Sequence, residues 1–441
     1  MEQGLYNNKT MSTLGDDTQH IVTVDKVPAN LYFDGTLNNY YNVEKADEAT
    51  RKEYGGEGTS YANALSNVAR MWKAIGLVIT GTDIGVYIEG MGTTKYEKDS
   101  MKGYALGEGE TGIRARAQSA FGPLMDSVKA SRGKAGPPAL LELNIFGFSR
   151  GAATARHFVH LLRDEHEIAK HFTDQWSHVQ VVVNFVGLFD TVSAEGINHR
   201  NDVNDLGLRF TDESARHVFH LVALDEYRSN FSDTTIASAR NATVVYDNHY
   251  KPMGFELGMP GAHSDVGGGY LCDVNQGEIE QRHLAPAVVA DSVKGTGELY
   301  GPQAFVYQQG FYRAADMKAT PWQPYFHQRT VTGDYYKVAL SLMVDMAEKF
   351  TVTTYQSRLD MLAREPAIAA LQTSLRQLVQ DNAFHAGKPT RIDWELNTQL
   401  GLERAREFRR AYLHLSANHA KFGMEPRYRD LLTWERHHEA G

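Results

Sequence analysis

The chain has 441 residues, 42% of them hydrophobic and 22% charged, with a formal net charge of −9. That length buries a large core in one or two domains, and the composition excludes wholesale disorder. An acidic balance without any long run of Lys or Arg argues against a nucleic-acid partner, which selects a basic face. The single cysteine, Cys272, excludes an intrachain disulfide and a thiolate metal cluster, and fits folding in a reducing compartment. Met1 to Asp25 lack the basic start and apolar stretch of a secretory signal. The longest apolar run, Val181 to Phe189, is too short to cross a bilayer as a helix. The expectation is a protein made in the cytoplasm in soluble form, which needs another machine to leave the cell.

In chain order, β-like apolar runs occur at Ala29 to Phe33, Ile84 to Glu89, Leu140 to Phe146, Val179 to Phe189 and Val218 to Leu224. Helical periodicity lies between them at Tyr61 to Ile75 and, after the Gly-rich Gly103 to Gly112, at Ile113 to Ala130. Strands alternating with helices predict a mostly parallel sheet covered on both faces, an α/β fold. After about residue 300 the pattern becomes helical, with Lys337 to Phe350, Ile368 to Gln380 and the charged Leu402 to His419. The expected division is a catalytic domain over 22–300 and a helical region over 301–441, whose role as cap, membrane contact or delivery element stays open. Lys337 to Phe350 is a candidate for lipid contact, although a core-facing helix is the commoner explanation of such a pattern.

One segment carries chemistry. The strand Leu140 to Phe146 runs into Gly147-Phe148-Ser149-Arg150-Gly151 and then into the small-residue helix that begins Ala152-Ala153-Thr154-Ala155. This is the context of a nucleophile elbow: a serine on a sharp strand-to-helix turn, with Gly147 and Gly151 small enough to relieve its crowding. The helix N-terminus behind Ser149 directs N–H groups toward a developing oxyanion. A serine hydroxyl needs a base, and the base an orienting acid, in the order Ser, acid, His. Asp190, at the tip of the Val181 to Phe189 run, is the first candidate acid, and Asp225, after His220 to Leu224, is its rival. His263, in the Gly-rich loop Met259 to Tyr270, is the candidate base; His157 and His160 belong to the helix after the elbow. Asp265 is expected to shape the His263 loop. A divalent cation held by Asp34, Asp190, His263 and Asp265 is the alternative reading. The second oxyanion donor is expected from the turn Phe33 to Asn38, through the backbone of Gly35 or Thr36, alongside that of Arg150; an Asx turn in which Asp34 caps Thr36 or Leu37 is compatible with it.

With these residues assembled, the chain resembles the first family of type VI secretion lipase effectors, which are α/β-hydrolases. The likeness rests on Phe33 to Asn39, Gly147 to Ala152, Val186 to Val192, His220 to Glu226 with Arg228, and Pro260 to Gly269, in that order. The resemblance implies an antibacterial phospholipase A, of A1 or A2 type, that attacks membrane phospholipid through a Ser149–Asp190–His263 triad and an acyl-enzyme. It implies no metal or organic cofactor. The implied partners are a phospholipid membrane, a cognate immunity protein and a spike or tip component for delivery to the periplasm or membrane of the target cell. Leu37 stands where the family pattern leads us to expect an aromatic. The rival functions are a small-ester carboxylesterase or intracellular lipase with the same triad, and a non-catalytic effector that binds membrane or partner.

Overall fold

Five largely apolar runs, one interrupted segment and one short polar one form seven strands of a single sheet: β1 (Lys26–Phe33), β2 (Ile84–Ile88), β3 (Leu140–Phe148), β4 (Gln180–Phe189), β5 (His217–Ala223), β6 (Met253–Met259) and β7 (Arg391–Asp393). The structure, a computed structural model, describes residues 24–54, 59–76, 84–100, 111–195, 200–201, 203–240, 251–271, 278–283, 302–316, 326–356, 358–418, 423–430 and 433–441. Cys272, most of Gly103 to Gly112 and the first 23 residues lie outside these. The spatial order is β7-β6-β5-β4-β3-β1-β2, and all six pairings are parallel. The five strands read from the sequence are all present. β6 escapes an apolar count because Gly254, Glu256 and Gly258 interrupt it, and β7 because it is three residues long and polar.

Side-chain alternation divides the sheet into two faces. Tyr32, Phe146, Phe185 and Phe219 enter a largely aromatic core on one side, whereas Leu31, Ile145, Val186 and Val218 enter an aliphatic core on the other. The aliphatic side is covered by α2 (Phe121–Arg132) and by α3 (Arg150–Leu161), which starts directly behind Ser149. The aromatic side takes α1 (Asn67–Gly76) and α5 (Tyr336–Phe350). Between α3 and α5 in sequence lies a one-turn helix, α4 (His263–Gly267).

α5 is a core helix. Val338, Leu342, Met343 and Met346 are buried, and Met343 reaches so close over Gly187 of β4 that a β-carbon there would lie 2.5 Å from its sulfur. The region after 300 is helical, as expected, with α6 (Pro366–Asn382) and α7 (Leu402–Tyr412), yet it also supplies the edge strand β7 and shares the aromatic core. Among the described residues no helix is long and apolar enough to cross a membrane.

Three helix boundaries differ from the sequence pattern for local reasons. The expected helix Ile113 to Ala130 is two, divided at Ala120, because Pro123 has no N–H to continue the ladder to Ser119. The helix expected from Tyr61 begins only at Asn67, since Ser66 bridges to Gly268. The helix expected to run from Leu402 to His419 ends at Tyr412, and Leu413 turns to extended backbone; His419 lies outside the described residues.

A polar ladder crosses the sheet centre. Asn184 on β4 donates to Asn144 on β3 (3.4 Å) and to Phe350 O (2.7 Å), Asn144 donates to Asn30 on β1 (3.0 Å), and Asn30 donates to Thr353 Oγ1 (3.0 Å). These amides are buried, so each lost partner strands another and costs about 1–3 kcal/mol. Asn144→Ala is therefore expected to lower unfolding free energy by about 2–3 kcal/mol in denaturant titration while leaving the turnover of the folded protein unchanged.

Candidate active site

Ser149 has φ 58° and ψ −128°, a backbone conformation that a non-glycine residue adopts only under constraint. The constraint is visible on both sides. The Ser149 N–H donates to Phe189 O at the tip of β4 (3.0 Å), and its carbonyl accepts from Ala152 N (3.0 Å). A β-carbon on Gly147 would sit 2.6 Å from Ala152 Cα, and one on Gly151 would sit 2.2 Å from Asp34 O. The two glycines of the motif therefore allow α3 to close onto β3 and β1, and the turn at Ser149 is what remains. Ser149 as a whole is 5% exposed.

Asp190 directly follows β4, with φ 44°, and is fully buried. Its Oδ2 accepts from His263 Nδ1 at 2.6 Å, which fixes the tautomer that leaves Nε2 as the ring's base. Its Oδ1 accepts from Ala223 N (2.9 Å). Arg436, 246 residues downstream, donates Nη1 to Oδ1 (2.6 Å) and Nη2 to Oδ2 (2.9 Å). Burial alone pushes the Asp190 carboxyl up, but the Arg436 guanidinium and the His263 contact outweigh it and hold the acid well below the ordinary carboxylate range. No sequence pattern marked Arg436, because a single Arg in the tail carries no spacing signal.

His263 opens α4 and does not lie in a loop as expected; its N–H donates to Glu226 Oε2 (3.2 Å). The ring packs against Phe148 (centroids 4.7 Å), the residue directly before Ser149, and edge-on against Phe231 (5.1 Å). Burial lowers the affinity of this imidazole for a proton, and the Asp190 contact only partly restores it. Among the described residues no hydrogen bond joins Ser149 Oγ to the ring; such bonds tighten around substrate.

Behind His263 stand further buried pairs. Glu226 accepts from Arg228 (Nε and Nη2, both 2.9 Å) and from Ser416 Oγ (2.7 Å), and is held down at about 2, where the guanidinium outweighs burial. Asp225, the rival acid, is taken by Arg409 Nε (3.0 Å), Tyr227 Oη (3.1 Å) and Gly261 N (2.9 Å), and makes no bond to His263. Asp265 bonds Ala262 N (2.9 Å) and His414 Nδ1 (2.6 Å), pinning α4 from below. His157 is a packing residue, its Nδ1 2.7 Å from Leu206 O. Asp190 and His263 thus bond each other while Asp34 and Asp265 serve other partners, and among the described residues no cluster of three or more His, Cys, Asp or Glu has metal-binding geometry.

The turn after β1 lies against the elbow, where Arg150 Nε donates to Thr36 Oγ1 (2.7 Å). Asp34 does not make the Asx turn to Thr36 or Leu37 expected from the sequence: it accepts from the adjacent Gly35 N (2.8 Å) and from Tyr87 Oη (2.5 Å). The Leu37 amide donates to Met91 O and the Asn38 amide to Gly35 O, both at 3.0 Å. Leu37 itself has φ 56°. Burial raises the Asp34 carboxyl to about 6 despite its hydrogen bonds.

Two predictions follow from these contacts. A folded pKa raised above the unfolded one makes ionised Asp34 destabilising; the penalty is absent below the unfolded value near pH 4 and full above about pH 6. Asp34→Asn is expected to raise stability above pH 6, with the gain vanishing toward pH 4; thermal melts across that range that show no pH-dependent gain contradict it. Gly151→Ala forces a methyl into Asp34 O and is expected to cost about 2–3 kcal/mol and to weaken reaction at Ser149, read by melting and by labelling with a fluorophosphonate.

Residues 162–288 match the family model described as the catalytic domain of Tle1-like phospholipase effectors of the type VI secretion system. No curated protein matches the chain. The solved structure of the Tle1 effector bound to the VgrG spike from the type 6 secretion system aligns over 99% of each chain, at 20% identity and a TM-score of 0.60. A crystal structure of an uncharacterized protein from Pseudomonas aeruginosa aligns over 56% of this chain and 42% of its own, at 22% identity and a TM-score of 0.35, too loose to carry an argument. The matched segment contains Asp190 and His263 and begins after Ser149. The resemblance drawn from sequence motifs thus recurs in a family comparison, and the fold is one that a type VI effector also adopts.

Proposed function

We propose that this chain is a lipolytic effector of the type VI secretion system, a serine phospholipase A working through Ser149, His263 and Asp190. The observation that carries the reading is the 2.6 Å bond from His263 Nδ1 to the buried Asp190 beside a strained Ser149 at a strand-to-helix turn. His263 Nε2 takes the Ser149 proton as Oγ attacks an acyl ester carbonyl. The tetrahedral oxyanion is received by the backbone N–H of Arg150, at the start of α3, and by that of Thr36. Gly35 is the weaker second donor, since its N–H already serves Asp34. His263 then protonates the departing alcohol, and water activated by the same nitrogen releases the fatty acid. Asp190, held ionised, keeps the imidazole oriented and stabilises its cationic form.

The Tle1-like family model supports phospholipid as substrate, and the likeness to an effector bound to a VgrG spike supports delivery by a spike component into a rival cell. In that setting a cognate immunity protein protects the producer.

Ser149→Ala is expected to fold like the parent and to lose hydrolysis of phospholipid vesicles by about a thousandfold or more. A folded variant that keeps hydrolytic activity sinks the nucleophile, and activity confined to short soluble esters sinks the phospholipid substrate. Because burial depresses the His263 pKa, the acid limb of kcat/KM is expected below about pH 6.5; a limb well above it contradicts the base.

A further inference from the structure

We infer that Arg436 is a positioning residue for the acid–base pair: its guanidinium fixes both oxygens of Asp190, and through the backbone of Phe231 it fixes the wall against which His263 rests. The inference rests on the reading of Asp190 and His263 as acid and base. Arg436 makes four hydrogen bonds inside the protein. Nη1 reaches Asp190 Oδ1 (2.6 Å) and Ala223 O (2.8 Å), Nη2 reaches Asp190 Oδ2 (2.9 Å), and Nε reaches Phe231 O (2.9 Å). A planar fork spans two carboxylate oxygens and two carbonyls at once; an ammonium on a flexible stem does not.

The tail that carries it is fastened on both sides. Before it, Thr433–Trp434 pairs with Tyr428–Asp430, and Trp434 is buried in the aromatic core. After it, His438–Glu439 pairs in parallel with Asp233–Thr234, and His438 Nδ1 lies 2.5 Å from Asp233 Oδ1. A bidentate salt bridge buried at this depth is a costly way to hold a tail, since two ions must leave water. Its geometry on the Asp190 carboxylate is what a fixed imidazole requires.

The charged groups around the pair set the sign of the test. His263 faces Asp190 from β4 and Glu226 and Arg228 from the segment after β5; on its own helix Asp265 is paired with His414. Arg436 faces Asp190, Asp233 and Glu226, with His438 beyond Asp233. Arg436 is a buried cation that disfavours a second positive charge on the ring. Without it the Asp190–His263 pair holds its proton more tightly, and the acid limb of kcat/KM moves to higher pH.

The test uses the full chain, a short soluble ester and a fluorophosphonate probe of Ser149. Arg436→Gln is expected to move the acid limb up by about one pH unit and to lower kcat about tenfold or more, with KM within about twofold. Arg436→Lys keeps the buried charge, and so the fold and the acid limb, but loses the fork; its kcat is expected to fall about tenfold as well. A purely structural role would alter melting and leave the limb of the folded protein in place. Folded variants with the parent's limb and kcat overturn the inference. Should Arg436→Gln not fold, a folded Arg436→Lys with the parent's kcat overturns it alone. Failure of the parent's Ser149 to react with the probe at all sinks the triad, and this inference with it; a reactive parent with indifferent Arg436 variants sinks only Arg436.

Discussion

The constraint on which the site depends is the negative charge of Asp190, held with no exposure to solvent. Moving an unpaired carboxylate to such a place costs several kcal/mol, so the fold must deliver compensation from elsewhere in the chain. It comes as one cation and two neutral donors: Arg436, the His263 ring and the Ala223 amide. All the oxygens' in-plane directions are then used, and the carboxylate has a single orientation. The ring bonded to it inherits that orientation, and the packing of Phe148 and Phe231 against it limits its remaining tilt.

Strain at Ser149 is tolerated because its surroundings leave no alternative. The Phe189 carbonyl takes its N–H, and α3 closes on β1 and β3 through glycines that a methyl would hold apart. The same closure brings the turn after β1 against Arg150. An elbow of this kind fixes three things together: the nucleophile, the start of a helix whose N–H groups face it, and the loop that supplies a second donor. A parallel sheet makes that economical, since the C-terminal tips of β1, β3, β4 and the turn after β6 lie on one edge.

How much of this was legible in the sequence depended on how local each signal was. The elbow was readable because strand, serine and small-residue helix are contiguous. Asp190 was readable because an apolar run ends on it, and His263 because glycines crowd around it. The edge strand Arg391–Asp393 was not, since three polar residues carry no period and gain their strand geometry from pairing with β6. The break after Tyr412 was also hidden: the pattern of Leu402 to His419 continues as a helix, but His414 and Ser416 are drawn inward by Asp265 and Glu226. Tertiary pairing overrode local preference there. Arg436 lay beyond any such reading, being one basic residue identifiable only by the carboxylate it meets.

These misses share a cause. Four buried acids surround or support His263: Asp190, Asp225, Glu226 and Asp265. Their cationic or imidazole partners are Arg436, Arg409, Arg228 and His414. Only Arg228 is near its acid in sequence; the other three come from the last quarter of the chain, where no motif stood out. Each acid taken alone is a liability, and each partner taken alone is an ordinary surface-type residue. Brought together they form a hydrogen-bonded bed under His263, with little freedom left in α4. The motif-bearing two-thirds of the chain therefore carries the proposed reacting groups, while three of the four partners that compensate the acids around them follow Leu402.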